Sequence, residues 1–162
     1  MIFNFKNENL IKMKVKIIVK DEHAYFPKKE HNSDIGFDLV AIKKYKILRK
    51  GDENGVGKTI LFDTGICCVP ERGYYTEIIP RSSLSKTGWI LSNSIGIIDP
   101  DYRGNLLIAL TKVDPTAHDF ELPFCKAQLV IRKTEEVELE RINVTNSTSR
   151  GSGGFGSTGE GI

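Results

Sequence analysis

Long apolar runs are absent from the sequence: none approaches the roughly 20 residues that a membrane-crossing helix needs. The first thirteen residues contain Phe3, Phe5, Leu10 and Ile11, but asparagines and charges interrupt them, so they lack the continuous core of a secretory signal. Met13 offers a second place at which translation could start. Cysteine is scarce. Cys67, Cys68 and Cys125 are odd in number and two are adjacent, which fits neither a disulfide framework nor the spacing of a zinc site. Buried thiols in a reducing compartment, cytoplasmic or nuclear, are expected instead. An excess of one charge is also lacking. The 23 lysines and arginines nearly balance 21 acidic residues, for a net charge of +2. No general field is available to hold nucleic acid, and an anionic ligand must be met by a few well-placed cations. Finally, no stretch of a dozen residues carries apolar side chains at helical spacing.

What remains is a succession of short β-rich runs in a chain long enough for one domain with a real core. Candidate strands, rich in β-branched and aromatic residues, are Val15–Val19, Phe37–Ala41, Lys46–Leu48, Thr59–Phe62, Ile66–Val69 and Tyr74–Ile79. They continue with Ser94–Ile98, Asn105–Thr111, Phe120–Leu122, Ala127–Arg132 and Val137–Arg141. A turn or two of helix is expected at Ser82 or Ser83, where serines can cap. Many short strands separated by turns indicate an all-β sandwich or barrel. Arg49–Lys58 is charged and glycine-bearing, and is expected to be an exposed loop. Asn146–Ile162 is dominated by Gly, Ser and Thr and cannot bury enough apolar surface to order itself. The expected layout is an N-terminal extension (1–13), a β domain (14–145) and a glycine-rich arm (146–162).

Three segments carry groups suited to chemistry. In Gly96-Ile97-Ile98-Asp99-Pro100-Asp101-Tyr102-Arg103-Gly104, an apolar strand enters a turn from which Asn105–Thr111 leaves, the pattern of a hairpin. Asp99 and Asp101 can serve simply as turn formers. Asp99 can equally be a rigidly held, partly desolvated general base at the strand end. Pro80-Arg81-Ser82-Ser83-Leu84 combines a guanidinium, hydroxyls and backbone N–H groups, which suit either a phosphate or an ordinary helix start. The segment from Arg150 to Gly159 reads as a linker or as a lid in which Arg150 pairs a phosphate and Phe155 stacks on a base. It lacks the order of residues of a phosphate-binding P-loop. Gln128 is a polar residue within an apolar strand and needs a hydrogen-bonding partner. His23, His31 and His118 sit in polar surroundings and are expected at the surface.

Together these segments resemble the trimeric dUTP pyrophosphatases, whose five ordered motifs correspond here to Asp34–Leu39, Pro80–Leu84, Gly96–Gly104 preceded by Asn93, Ala127–Leu129, and Arg150–Gly159. The resemblance implies a jelly-roll-like β-barrel of the dUTPase-like, β-clip type. It also implies a homotrimer with shared active sites, and a flexible C-terminal arm that closes over a neighbouring subunit's site. The implied reaction is hydrolysis of dUTP to dUMP and pyrophosphate, which keeps uracil out of DNA and supplies dUMP for dTMP synthesis. By position, Asp99 would activate water. Asn93, Gly96, Ile97 and Ile98 would read uracil, Tyr102 would pack on the deoxyribose and Phe155 would stack on the base. Arg81, Ser82, Ser83, Gln128, Arg150, Gly156, Ser157 and Thr158 would contact phosphates. Mg2+ would be held mainly through the triphosphate, without a direct protein ligand, with Asp38 as indirect support. Ser83 departs from the glycine usual in the second motif, and the 49–58 loop is longer than in many members. The related dCTP deaminases share the scaffold and an Arg-Ser-Ser-Leu motif. They require a glutamate where this chain has Ala109, and an arginine where it has Lys86. A nucleotide-binding regulatory protein without catalysis is the remaining alternative.

Overall fold

The computed structural model describes residues 13–144 and 146–154. Ten strands account for most of the order: β1 (Lys16–Val19), β2 (Phe37–Ala41), β3 (Lys43–Arg49), β4 (Thr59–Asp63), β5 (Ile66–Val69), β6 (Tyr74–Pro80), β7 (Trp89–Leu91), β8 (Gly96–Ile98), β9 (Leu107–Lys112) and β10 (Phe124–Lys133). A 3-10 turn, Ser82–Lys86, lies between β6 and β7. The strands form a β1-β5 pair and two four-stranded sheets, β2-β10-β6-β8 and β3-β4-β9-β7, with every pairing antiparallel. The all-β, jelly-roll-like reading holds, but no sheet closes into a barrel among the described residues.

Alternation along β10 shows how sequence selects the faces. Ala127 and Leu129 are buried in the core, whereas Gln128 and Arg132 between and beyond them look outward, as a period of two requires. The inward set meets Ile60, Phe62, Ile108 and Leu110 of the other large sheet in one cluster. At one end of that cluster, Phe62 touches Phe124 edge-on at 4.9 Å, and Phe120 stacks on Phe124 at 4.4 Å. Trp89 packs beside Phe120, and its indole N–H donates to the His118 carbonyl at 3.0 Å.

Two expected strands are absent, and one strand forms where none is expected. Phe120–Leu122 is not a strand: Phe120 turns into the aromatic cluster, and the following Pro123 has no N–H for a ladder. Val137–Arg141 is not a strand either. Its apolar side chains find no core, Leu139 being 92% exposed. Conversely, Trp89–Leu91 pairs with β9, an element too short to show a period. Cys67 and Cys68 are buried, and Cys125 is half-buried. All three histidines are exposed, and the 49–58 loop is exposed over half its length and half-buried over the rest.

Because Phe62 is fully buried between two aromatic partners, Phe62→Ala should cost about 3–5 kcal/mol of stability. Urea denaturation followed by fluorescence of the single tryptophan, Trp89, is the check; an unchanged midpoint would contradict this account of the core.

Candidate active site

The first group of expected site residues gathers where β2 begins and β6 ends, on either side of the middle of β10. The Arg81 amide donates to the Lys126 carbonyl at 3.0 Å, so pairing extends one step beyond Pro80 before the chain turns into the 3-10 segment. Leu84 is buried and anchors that segment, leaving Ser82 exposed and Ser83 half-buried. The expected serine cap is not formed: the N-cap position is Arg81, and it makes no side-chain capping bond. The two serine hydroxyls are therefore not committed to the helix start.

Gln128 stands opposite Asp38 on one side and Ile79 on the other. Its amide donates to the Pro80 carbonyl at 3.0 Å. The rest of the side chain lies against Gly36, where an added Cβ would fall 2.0 Å from Oε1. Glycine at 36 is thus a condition for Gln128 to hold its place. Asp38 meets Arg81 at 3.0 Å, and Arg81 also donates to the Cys125 sulfur at 3.1 Å. Arg81, Ser82, Gln128, Asp34, Asp38 and Arg132 all border one open groove of about 320 Å³. Its fork-shaped cations, amide and hydroxyl suit phosphate oxygens.

The second group lies on the β7–β8 turn and the hairpin that follows. Ser94 takes the left-handed conformation (φ 60°) and its amide donates to the Leu91 carbonyl at 3.1 Å. This folds Asn93 back beside Gly96, so that a Cβ on residue 96 would come within 3.2 Å of the Asn93 amide nitrogen. β8 pairs with β6 along one side only (Gly96 with Ile78, Ile98 with Thr76) and is the outer strand of its sheet. Its other edge presents backbone N–H and C=O groups without strand partners among the described residues. After Ile98 the chain turns, the Tyr102 amide donating to the Asp99 carbonyl at 3.0 Å. The Asp99 side chain is exposed in the single chain, as either a turn former or a base awaiting a covering surface can be. The Tyr102 ring lies on Gly104 and its hydroxyl donates to the Asn105 carbonyl at 3.0 Å; burial pushes its phenol pKa up.

Sequence reasoning missed the groups that moor this hairpin. Buried Asp63 accepts two 3.0 Å bonds from the Asn105 amide and one of 2.7 Å from the Gly65 N–H. The signal was present as a carboxylate ending an apolar strand. The contact between Arg81 and Cys125 likewise has no signal in the sequence, which gives only a buried thiol.

The two groups do not meet within one chain. Asp99 follows Ile98, which faces Thr76 near one end of β6, and Arg81 follows the other end. At about 3.3 Å per residue, these levels lie roughly 16 Å apart along the strand. In the arm, Arg150 bonds the Gly153 carbonyl of its own turn at 3.1 Å. Phe155, Gly156, Ser157 and Thr158 lie outside the described residues.

Comparison with known proteins places this geometry in context. The dUTPase family model matches residues 22–159. The deoxyuridine 5'-triphosphate nucleotidohydrolase of Fusobacterium nucleatum is 34% identical over 150 residues, covering 92% of this chain and 99% of that protein. That of Helicobacter pylori strain 26695 is 35% identical over 148 residues, covering 91% and 97%. Among solved structures, a mutant dUTPase of Staphylococcus bacteriophage 80alpha with dUpNHpp superposes with a TM-score of 0.69 at 20% identity, over 91% of this chain and 99% of that one. A mutant dUTPase from phage phi11 of S. aureus, described as coordinating a structural Mg(II) ion, gives 0.65 at 19% identity, over 83% and 99%.

Gly36→Ala should displace Gln128 while leaving the core untouched. The expected result is a thermal midpoint close to wild type with clearly weaker binding of inorganic triphosphate by calorimetry. Unchanged binding would remove Gln128 from the phosphate groove.

Proposed function

The chain belongs to the dUTPase family, and we propose that its two half-sites complete one another between copies of the chain, in a homotrimer, to hydrolyse dUTP to dUMP and pyrophosphate. The observation that carries this reading is the separation along β6: a triphosphate lying against Arg81 is out of reach of the same chain's Asp99. A second copy must bring its hairpin to the groove.

In the shared site, Arg81, Ser82, Ser83 and Gln128 hold the phosphate chain. The open edge of β8 at Ile97 and Ile98 offers backbone donors and acceptors at fixed spacing to the edge of uracil, and Asn93 flanks it. A rigid edge of this kind can exclude the 5-methyl of thymine by contact, which discriminates more sharply than a missing methyl interaction worth about 1–3 kcal/mol. Tyr102 closes the sugar side and leaves no room for a 2'-hydroxyl. Asp99 accepts a proton from water as the water oxygen bonds to the α-phosphorus. The bond from that phosphorus to the bridging oxygen breaks and pyrophosphate departs with the electron pair. Docking against a second copy removes Asp99 from bulk water, as a general base requires. Arg150, Phe155, Gly156, Ser157 and Thr158 supply the closing arm, whose ordering cost is offset when ligand is bound.

Among the described residues, no three His, Cys, Asp or Glu side chains gather as a metal site. The groove nonetheless suits an ion that arrives with its substrate, because Asp38 lies beside Arg81 and opposite Gln128. Mg2+ held by the triphosphate would neutralise phosphate charge, with Asp38 supporting it indirectly. No helix among the described residues is long and apolar enough to cross a membrane; we assign the enzyme to the nucleotide pool of the cytoplasm or nucleus.

Deamination of dCTP is not favoured. Ala109, which stands where the deaminases need a glutamate, sits in the middle of β9 opposite Leu61, and a methyl group cannot move a proton. Loss of catalysis is not favoured either, since Asp99, Tyr102 and Arg150 are all present.

Asp99→Asn should retain affinity for a non-hydrolysable dUTP analogue while turnover falls roughly 10²–10⁴-fold. Pyrophosphate release measured over dUTP, dTTP, dCTP and UTP should be confined to dUTP in the wild type; wild-type turnover in the variant would dismiss Asp99 as the base. Sharing of sites has its own readout. Co-assembled Asp99→Asn and Arg81→Ala chains, each inactive alone, should regain a substantial part of the activity, because some interfaces then pair an intact Asp99 with an intact Arg81. No recovery in verified mixed assemblies would mean that each chain works alone.

A further inference from the structure

The Arg81 guanidinium is held from one side by two neighbours. Nη1 lies 3.0 Å from the Asp38 carboxylate and 3.1 Å from the Cys125 sulfur. The sulfur takes an Nη1 hydrogen bond, whereas Asp38 acts on Nη1 as an ion pair, and neither contact involves Nε or Nη2. The parallel Nε–H and Nη2–H edge, the one that matches two oxygens of a phosphate, is left facing away from both partners, in a side chain that borders the groove. From this arrangement, and resting on the reading of the groove as the phosphate half-site, we propose that Cys125 is a positioning residue: with Asp38 it fixes the roll of the Arg81 guanidinium so that its bidentate edge meets the substrate phosphates.

The division of labour follows from chemistry. Asp38 supplies charge, but a carboxylate alone lets a guanidinium pair in several orientations. The sulfur adds a second, differently placed acceptor at the strand bulge of β10 between Phe124 and Ala127. That bulge shifts the register and brings residue 125 under Arg81. Burial pushes the Cys125 thiol pKa up, so the sulfur remains neutral and accepts without competing with phosphate for the cation's charge. A serine would keep an acceptor at this point, whereas an alanine removes it without adding bulk.

The test is a binding cycle on the assembled full-length protein, read by calorimetry with inorganic triphosphate and by steady-state hydrolysis of dUTP. Cys125→Ala should weaken triphosphate binding and raise KM about five- to tenfold, the size of one ordinary hydrogen bond, with kcat and thermal midpoint nearly unchanged. Cys125→Ser should restore most of the loss. In an Arg81→Ala background, Cys125→Ala should have no further effect, since the group it positions is gone. Equal affinity in Cys125→Ala and wild type, or the same penalty with and without Arg81, overturns the proposal. Triphosphate binding is read independently of turnover, so a wild type that binds but does not hydrolyse dUTP rejects the functional reading and leaves this cycle interpretable.

Discussion

Strand β6 is paired on both sides, by β10 from Tyr74 to Pro80 and by β8 from Thr76 to Ile78, and the whole chemistry depends on that double register. Pairing with β10 sets Pro80 against Ala127, and so places Arg81 beside Asp38 and Cys125. Pairing with β8 sets Ile98 against Thr76 and directs the chain into the Asp99 turn at the other end. A slip of one residue would exchange the faces of every side chain along the strand. It would turn the Glu77 carboxylate toward the apolar core and take Ile78 out of it. Glu77 opposes such a slip, since it accepts the Tyr75 hydroxyl at 2.9 Å and the Arg132 guanidinium at 3.1 Å on the outer face.

A near-neutral protein that handles a highly charged ligand must concentrate its cations, and the groove does so with few. Arg81 is kept in place by a neighbouring carboxylate and a thiol, not by a surrounding field of lysines. The carboxylates bordering the same groove would repel a bare triphosphate, which is consistent with a substrate that arrives with its charge partly neutralised by a metal ion. The lysines are employed elsewhere. Lys43 pairs with Asp21 and Asp63, and Lys58 with Asp119, and these ties stabilise loops remote from the groove.

Much of this was legible in the sequence. Short β-rich runs with bounded ends, such as Phe37–Ala41 and Ile66–Val69, appear with those same limits, because the turn residues on either side constrain them. Trp89–Leu91 was not readable: three residues cannot show a period, and their pairing comes from β9, about twenty residues away. Val137–Arg141 has strand composition, but a strand needs a neighbour and the described chain provides none. For the site, residue types identified the participants, and the resemblance supplied their roles. What sequence could not give was distance. That Asp99 and Arg81 occupy opposite ends of one strand, and that Cys125 reaches Arg81 across a bulge, depends on register, which no local pattern encodes.

The exposure of Asp99 in an isolated chain has a consequence for the living cell. On the proposal that sites are shared between copies, a newly made polypeptide, with its hairpin in water and no groove opposite, is inert until it meets another copy. Hydrolytic capacity at low abundance would then rise more steeply than the number of polypeptides, and synthesis and degradation would be a sharper throttle on the nucleotide pool than for an enzyme complete in a single chain.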